Sequence, residues 1–175
     1  DEGINTRIRE AADQWADQGT SLVDTERVFA ASEHTTAQSP GEALFYEHVH
    51  LNIQGSYLFA RAVFDEVVRQ LPSALQDQAS PEAPVASLER CTGRLALTDR
   101  DRARMLAAIW RSIHAPPFTD QLDHAEMRQR LLAARRELWR QAWPTSRVLA
   151  AYDLAVAERP DDPSLRYNAA QAYLA

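Results

Sequence analysis

Apolar residues recur every three or four positions along most of this chain, and this helical period is the feature that most limits its fold. The predicted helices cover about residues 4–17, 51–71, 98–113, 123–143, 145–158 and 163–174. One segment, Ser21–Asp24, is a short apolar pair between turn formers, which is typical of a brief strand. The sequence therefore predicts a mostly α protein with one short strand near its start.

Capping residues and prolines set the ends of these helices. Gly19 stands where a helix C-terminal residue in the left-handed conformation is expected, and Pro72 ends the helix that begins near Asn52. Asn52 is predicted to cap that helix through its side-chain oxygen. Thr98 with an aspartate three residues later resembles a capping box, and Asp123 is predicted to cap the helix that follows.

Composition changes divide the chain into parts. Residues 30–43 are polar and contain proline and glycine, so they are predicted to form a surface loop. Residues 73–88 are rich in proline, alanine and serine, which indicates a linker. The predicted organisation is a first domain over 1–72, the linker, a helical connecting region over 89–144, and a repeat-like hairpin over 145–175.

The last two predicted helices carry a spacing of small and aromatic residues. These residues are Tyr152, Ala155, Pro160, Ala170 and Tyr173. The pattern resembles the tetratricopeptide repeat, in which small residues let two helices approach closely and proline ends the second helix. A generic helical hairpin is the alternative. The resemblance implies a truncated repeat whose parent protein continues, with a possible peptide or protein partner in this region.

Charge and apolar content exclude several classes of protein. The chain is 45% hydrophobic with a net charge of −6, which is ordinary for a globular domain. Residues 1–80 hold 5 arginines against 13 acids and residues 81–147 hold 12 against 8, which is not the concentrated basic face of a nucleic-acid-binding protein. No apolar run approaches the roughly 18 residues of a membrane span. The single cysteine, Cys91, is predicted to be a small buried residue and leaves the compartment undecided.

Four tryptophans and the arginines of one helix are predicted to have structural rather than functional roles. Trp15, Trp110, Trp139 and Trp143 are predicted to pack in the core or between helices. The arginines within 128–140 cover much of one helix, so most are predicted to be solvated, and some to pair with Glu126 and Glu137. No cofactor is predicted.

A polar cluster over residues 47–52 precedes the helix that ends at Pro72. Its sequence is Glu-His-Val-His-Leu-Asn, so Glu47 lies three residues before His50. This spacing is one by which hydrolases supply the acid and the base of a catalytic triad from a single loop, where the carboxylate orients the imidazole and the imidazole takes a proton from a serine. A metal site formed with His48 is the alternative, but two histidines from one loop leave at least one ligand unsupplied.

The block Phe45–Asn52, followed by Gly55, Tyr57 and Ala60, resembles the last motif of the SGNH (GDSL-type) hydrolase family. In that family an Asp-x-x-His motif opens the final helix, and its histidine is the catalytic base. The resemblance implies that His50 is the base, that Glu47 is its orienting acid, and that residues 1–72 are the C-terminal part of an α/β SGNH domain. It also implies an ester-bearing substrate, and a helical region that joins such domains to tetratricopeptide repeats in some bacterial proteins.

The sequence departs from the family in two ways. Glutamate replaces the usual aspartate at position 47, and no serine follows a Gly-Asp pair anywhere in the chain. The family's nucleophile and oxyanion donors are therefore expected outside this segment, in a longer parent protein. Two functions remain open: a fragment of an ester hydrolase, and a non-catalytic interaction module built on the repeat-like helices.

Overall fold

The computed structural model describes residues 2–35, 41–78 and 85–174. These residues form α1 (Glu2–Gln14), α2 (Thr25–Ala30), α3 (Gly41–Leu44), α4 (Ile53–Gln70), α5 (Ser73–Gln76), α6 (Leu88–Arg94), α7 (Asp99–Ser112), α8 (His124–Arg140), α9 (Thr145–Glu158) and α10 (Pro163–Tyr173), with 3-10 turns at Ala16–Gln18 and Phe118–Asp120. The prediction of a mostly α protein is confirmed. The chain divides into two compact units, Asp1–Pro84 and Val85–Ala175.

The first unit is built around the long helix α4, which packs against α2 and α3. Leu44 is fully buried, and Phe29 meets Phe45 edge to face at a centroid distance of 5.9 Å. Arg9 of α1 donates to both carboxylate oxygens of Asp24, at 2.7 and 3.1 Å, and so connects α1 to the start of α2. Leu44 ends α3 and Phe45 begins the segment between α3 and α4, so their packing fixes the start of the segment where the candidate site lies.

The strand predicted at Ser21–Asp24 does not form. These residues carry no regular secondary structure, and the Asp24 side chain accepts from the backbone N–H of Arg27, so it caps α2 instead of ending a strand. A strand needs a neighbour with which to pair, and in the described part of the chain the β structure consists of an isolated antiparallel bridge between Phe45 and Leu51. The prediction was wrong because pairing is not a local property.

One hydrophobic cluster of the second unit lies between α9, α10 and the turn before α7. Its buried residues are Ala96, Val148, Tyr152, Ala155, Leu165 and Ala172. Tyr152 is 1% exposed, and its hydroxyl donates to Asp101 Oδ2 at 2.8 Å. Asp101 also accepts from the backbone N–H of Thr98, which completes the predicted capping box of α7. One carboxylate therefore joins the start of α7 to the middle of α9.

Several local predictions can be compared with the structure. Gly19 has a φ of 83°, as predicted for a helix C-terminus, while Asp123 sits at the start of α8 without a side-chain capping bond. Trp15 and Trp139 are 48% and 75% exposed, so the prediction that they pack inside is wrong for both.

Parts of the predicted loop 30–43 and linker 73–88, namely residues 36–40 and 79–84, lie outside the described residues. None of the described helices is both long and apolar enough to cross a membrane.

Candidate acid-base site

The polar cluster forms a tight loop that is closed by backbone hydrogen bonds. Tyr46 N–H donates to the carbonyl oxygen of His50 at 2.9 Å, and Asn52 N–H donates to the carbonyl oxygen of Leu44 at 2.9 Å. The bridge between Phe45 and Leu51 lies between these two bonds. The loop is therefore fixed at its base, and residues 47–49 form its tip.

Asn52 connects this loop to α4. Its Oδ1 accepts from the backbone N–H of Gly55 at 2.9 Å, which confirms the predicted cap. Its Nδ2 donates to the carbonyl oxygens of Ala43 and Glu42, at 2.9 and 3.2 Å. This one side chain thus forms hydrogen bonds with backbone carbonyl groups of α3 and with a backbone N–H group in the first turn of α4. Backbone groups at helix ends lack hydrogen-bond partners within their own helix.

Gly55 allows the loop to approach α4 closely. A Cβ built at this position would lie far inside van der Waals contact of the Leu44 carbonyl oxygen and 3.0 Å from Leu51 Cδ2. The Leu44 oxygen belongs to the backbone and already accepts from Asn52, so it cannot move aside cheaply. A side chain at position 55 would push α4 away from the residues that carry the site.

The Glu47 carboxylate lies at the centre of the loop, and its side chain has no exposed surface. Its Oε2 accepts from the backbone N–H of Val49, and its Oε1 accepts from the backbone N–H of His50, both at 2.8 Å. The ring of His50 contacts Oε1 through Nδ1, and the ring of His48 lies with its Nδ1 2.9 Å from Oε2. A buried carboxylate needs such a set of donors to remain charged.

These contacts decide the charge of Glu47. Burial by itself raises the pKa of the carboxyl, but the hydrogen bonds from Val49 N–H, the His50 ring and His50 N–H together outweigh burial and lower the pKa below its usual value. Glu47 is therefore an ionised carboxylate at neutral pH. Its charge is directed at the Nδ1 edge of His50.

The contact with Glu47 also determines the tautomer of His50. An ionised carboxylate can only accept hydrogen bonds, so Nδ1 of His50 must carry the proton. In the neutral ring the lone pair then lies on Nε2, which is the atom that a general base uses. The His50 side chain is 51% exposed, so the ring is held at one edge and accessible to solvent over about half of its surface.

The structure brings the two predicted site residues together and adds a third that the sequence interpretation missed. His48 is 41% exposed, yet it shares the Glu47 carboxylate with His50. The side chains of residues 48 and 50 can both reach position 47 only because the chain reverses here. The sequence signal that could have indicated this is the His-x-His spacing directly after an acid.

The residues of this loop lie close together, but their side chains are not arranged to hold a metal ion. Throughout the described residues, no group of three or more histidine, cysteine, aspartate or glutamate side chains is arranged to hold a metal ion. His48 and His50 instead approach different oxygens of the same carboxylate. This arrangement uses the Nδ1 atom of each ring for a contact with Glu47, and the chemistry that it supports is proton transfer.

The arrangement as a whole is a buried, charged acid that fixes one edge of a partly exposed imidazole. The chain was compared with protein-family models, with curated proteins and with solved structures, and none of the three comparisons gave a match.

Proposed function

We propose that residues 1–72 supply the acid and base of a Ser-His-acid triad in an SGNH-type ester hydrolase, with His50 as the base and Glu47 as its orienting acid. The observation that carries this proposal is the fully buried, ionised Glu47 carboxylate, which accepts from Nδ1 of His50. The resemblance of the segment Phe45–Asn52 to the family's last motif supports it further.

In this proposal the nucleophilic serine and the oxyanion donors come from a part of the hydrolase that these 175 residues do not include. The serine hydroxyl passes its proton to Nε2 of His50 as its oxygen bonds to the ester carbonyl carbon. When the tetrahedral intermediate collapses, the bond to the leaving alcohol breaks and His50 returns the proton to that oxygen. Water then attacks the acyl-serine in the same way, which releases the acid and restores the serine.

Glu47 contributes in two ways to these steps. It keeps the proton of the neutral ring on Nδ1, so that Nε2 can accept, and its negative charge stabilises the imidazolium that forms during each transfer. Burial excludes water from the carboxylate, which strengthens its electrostatic effect on the ring. Loss of this charge should therefore lower turnover by about 10²–10⁴-fold, in the range found for the acid of such triads.

The test is an ester hydrolysis assay on the full-length protein, with p-nitrophenyl acetate as substrate. We expect His50→Gln to lower kcat/KM by about 10³-fold or more, and Glu47→Gln to lower it by about 10²–10⁴-fold. His48→Gln is the matched control, because it removes the other imidazole from the same carboxylate, and it should change kcat/KM only a few-fold. Turnover that survives His50→Gln in a folded protein would refute the proposal.

The alternative is an interaction module formed by the tetratricopeptide-like helices, without catalysis. The observation that favours it is the exposure of large apolar residues on α9 and α10: Leu154 is 66% exposed and Tyr167 is 65% exposed. Soluble repeat proteins use such surfaces for peptide or protein partners. Ester hydrolysis that is absent from the full-length protein, or that is independent of His50, would favour this alternative.

A further inference from the structure

One face of α8 carries alternating cationic and apolar side chains. Arg128, Leu132, Arg135 and Trp139 follow one another at intervals of four, three and four residues. At about 100° per residue these four positions lie within an arc of about 60° on the helix surface. We call this set the α8 stripe.

The two arginines of the stripe are held by an aromatic ring of the neighbouring helix. The guanidinium carbon of Arg128 lies 5.7 Å from the centre of the Trp110 ring, and that of Arg135 lies 5.5 Å from it. Both distances are within the range of cation-π contacts. Trp110 thus fixes two long side chains, so that less conformational entropy is lost when they meet a ligand.

The positive charge of these arginines is not neutralised within the second unit. Among the described residues, no carboxylate forms an ion pair with Arg128 or Arg135, whereas Arg140 of the same helix pairs with Glu137. The helix as a whole has five arginines and two glutamates. The α8 stripe is therefore a positive surface on a chain whose net charge is −6.

The apolar members of the stripe extend this surface. Trp139 is 75% exposed, although tryptophan is a residue that a monomeric domain normally buries, and it lies one helical turn beyond Arg135. Tryptophan and arginine are the residues most enriched at the energetic centres of protein interfaces. A surface that presents both, preorganised and without a carboxylate partner, has the chemistry of a docking site.

We propose that the α8 stripe binds an acidic amphipathic helix of a partner protein, whose carboxylates pair with Arg128 and Arg135 and whose apolar side chains pack on Leu132 and Trp139. Guanidinium groups match carboxylates through paired, charge-assisted hydrogen bonds, and the spacing of the stripe matches a facing helix with the same period. Nucleic acid fits less well, because the stripe offers two cations and not the concentrated basic face that a dense polyanion requires.

The test uses a fluorescein-labelled helical peptide of 18 residues, with glutamates at positions i and i+7 and leucines at i+4 and i+11, and measures its binding to the full chain by fluorescence anisotropy. We expect saturable binding that weakens by about tenfold or more in the double variant Arg128→Gln/Arg135→Gln, and by about tenfold in Trp139→Ala. Arg130→Gln is the matched control, since residue 130 lies about 200° around the helix from residue 128, and it should bind within about twofold of the wild type.

Three outcomes of the peptide measurements would overturn the proposal. They are the absence of saturable binding, equal affinity for a scrambled peptide of the same composition, and equal loss in Arg130→Gln. A twenty-nucleotide oligothymidylate and vesicles with anionic lipid serve as competitors, and stronger binding of either one through Arg128 and Arg135 would also overturn the assignment to a peptide. Trp139→Ala removes a side chain that is mostly exposed, so its folding is expected to be intact and its result stays interpretable if the double arginine variant unfolds.

Discussion

Replacing Gly55 with alanine tests whether the loop of Glu47 depends on close contact with α4. Two effects of opposite sign compete. Alanine in a helix is more favourable than glycine by about 0.5–1 kcal/mol. Against this, the new Cβ would overlap the Leu44 carbonyl oxygen, and overpacking of this kind costs about 1–3 kcal/mol. Because the obstacle is backbone, we take the upper part of that range and expect a net loss of about 1–2 kcal/mol.

Gly93 provides the matched control for this substitution. It also lies within a helix, α6, but apart from its chain neighbours and the backbone of α6 itself no atom is within 4 Å of a Cβ built there. Gly93→Ala should therefore stabilise the second unit by about 0.5–1 kcal/mol through helix propensity alone.

Native-state hydrogen exchange measures both effects where they occur. In Gly55→Ala, the amides of α4 and the His50 amide that donates to Glu47 should exchange faster by a factor that corresponds to the lost free energy. In Gly93→Ala, the amides of α6 should exchange more slowly. If Gly55→Ala leaves the His50 amide as protected as in the wild type, the contact does not position the site, and the reasoning is refuted.

Three further perturbations follow from the contacts of single side chains. Tyr152→Phe removes the hydroxyl that donates to Asp101 and should cost the second unit about 1–2 kcal/mol in urea denaturation. Burial, and then the Asp101 carboxylate, raise the pKa of Tyr152 above its usual 10.0, so this unit should lose stability as pH rises beyond about 10. Tyr152→Phe should reduce that loss and leave the part due to Tyr173, whose pKa is raised by its hydrogen bond to Asp153. Asn52→Ala removes the cap of α4 and should cost about 1 kcal/mol in thermal unfolding, and Asn52→Asp should restore only a part of it, because its carboxylate accepts from Gly55 N–H but cannot donate to the Ala43 carbonyl oxygen. The lowered pKa of Glu47 means that its contribution to stability is complete above an unfolded value near 4.5 and is lost as pH falls through the folded pKa, a dependence that Glu47→Gln should remove.

For each of these three predictions, a specific result would contradict the reasoning. A Tyr152→Phe protein with wild-type stability would mean that the hydroxyl is equally well solvated after unfolding. An Asn52→Asp variant no more stable than Asn52→Ala would assign the effect to the Nδ2 contacts with α3 instead of the cap. An acid unfolding curve unchanged by Glu47→Gln would place the pH dependence on other carboxylates.

Three of the four predicted helix caps could be recognised from the sequence because they depend on residues within one turn, while the predicted cap at Asp123 does not form. Gly19, Asn52 and the Thr98 capping box act through hydrogen bonds to backbone groups two to three residues away, or through the conformation of a single residue. The sequence alone contains that information. Whether Ser21–Asp24 forms a strand could not be predicted in the same way. A strand depends on a second strand with which it pairs, and the described residues do not provide one.

In the candidate site, too, the contacts between residues close in sequence were predictable and those that depend on the path of the chain were not. The spacing of Glu47 and His50 indicated an acid and a base on one loop, and their contact follows from that spacing. The participation of His48 depends on the path of the chain through the loop tip, and the need for glycine at position 55 depends on the distance to Leu44, a residue of another helix. The exposure of Trp139 likewise depends on which elements pack against α8, which a periodic pattern does not specify.

The central claim is that the buried Glu47 carboxylate holds the Nδ1 proton of His50. The most direct measurement is ¹⁵N-edited NMR of the imidazole rings at alkaline pH, where histidine rings are neutral. We expect His50 to show the Nδ1–H tautomer with a downfield, slowly exchanging Nδ1 proton that disappears in Glu47→Gln and persists in His48→Gln. A His50 ring in the Nε2–H tautomer, or an Nδ1 proton that is unchanged by Glu47→Gln, would contradict the account.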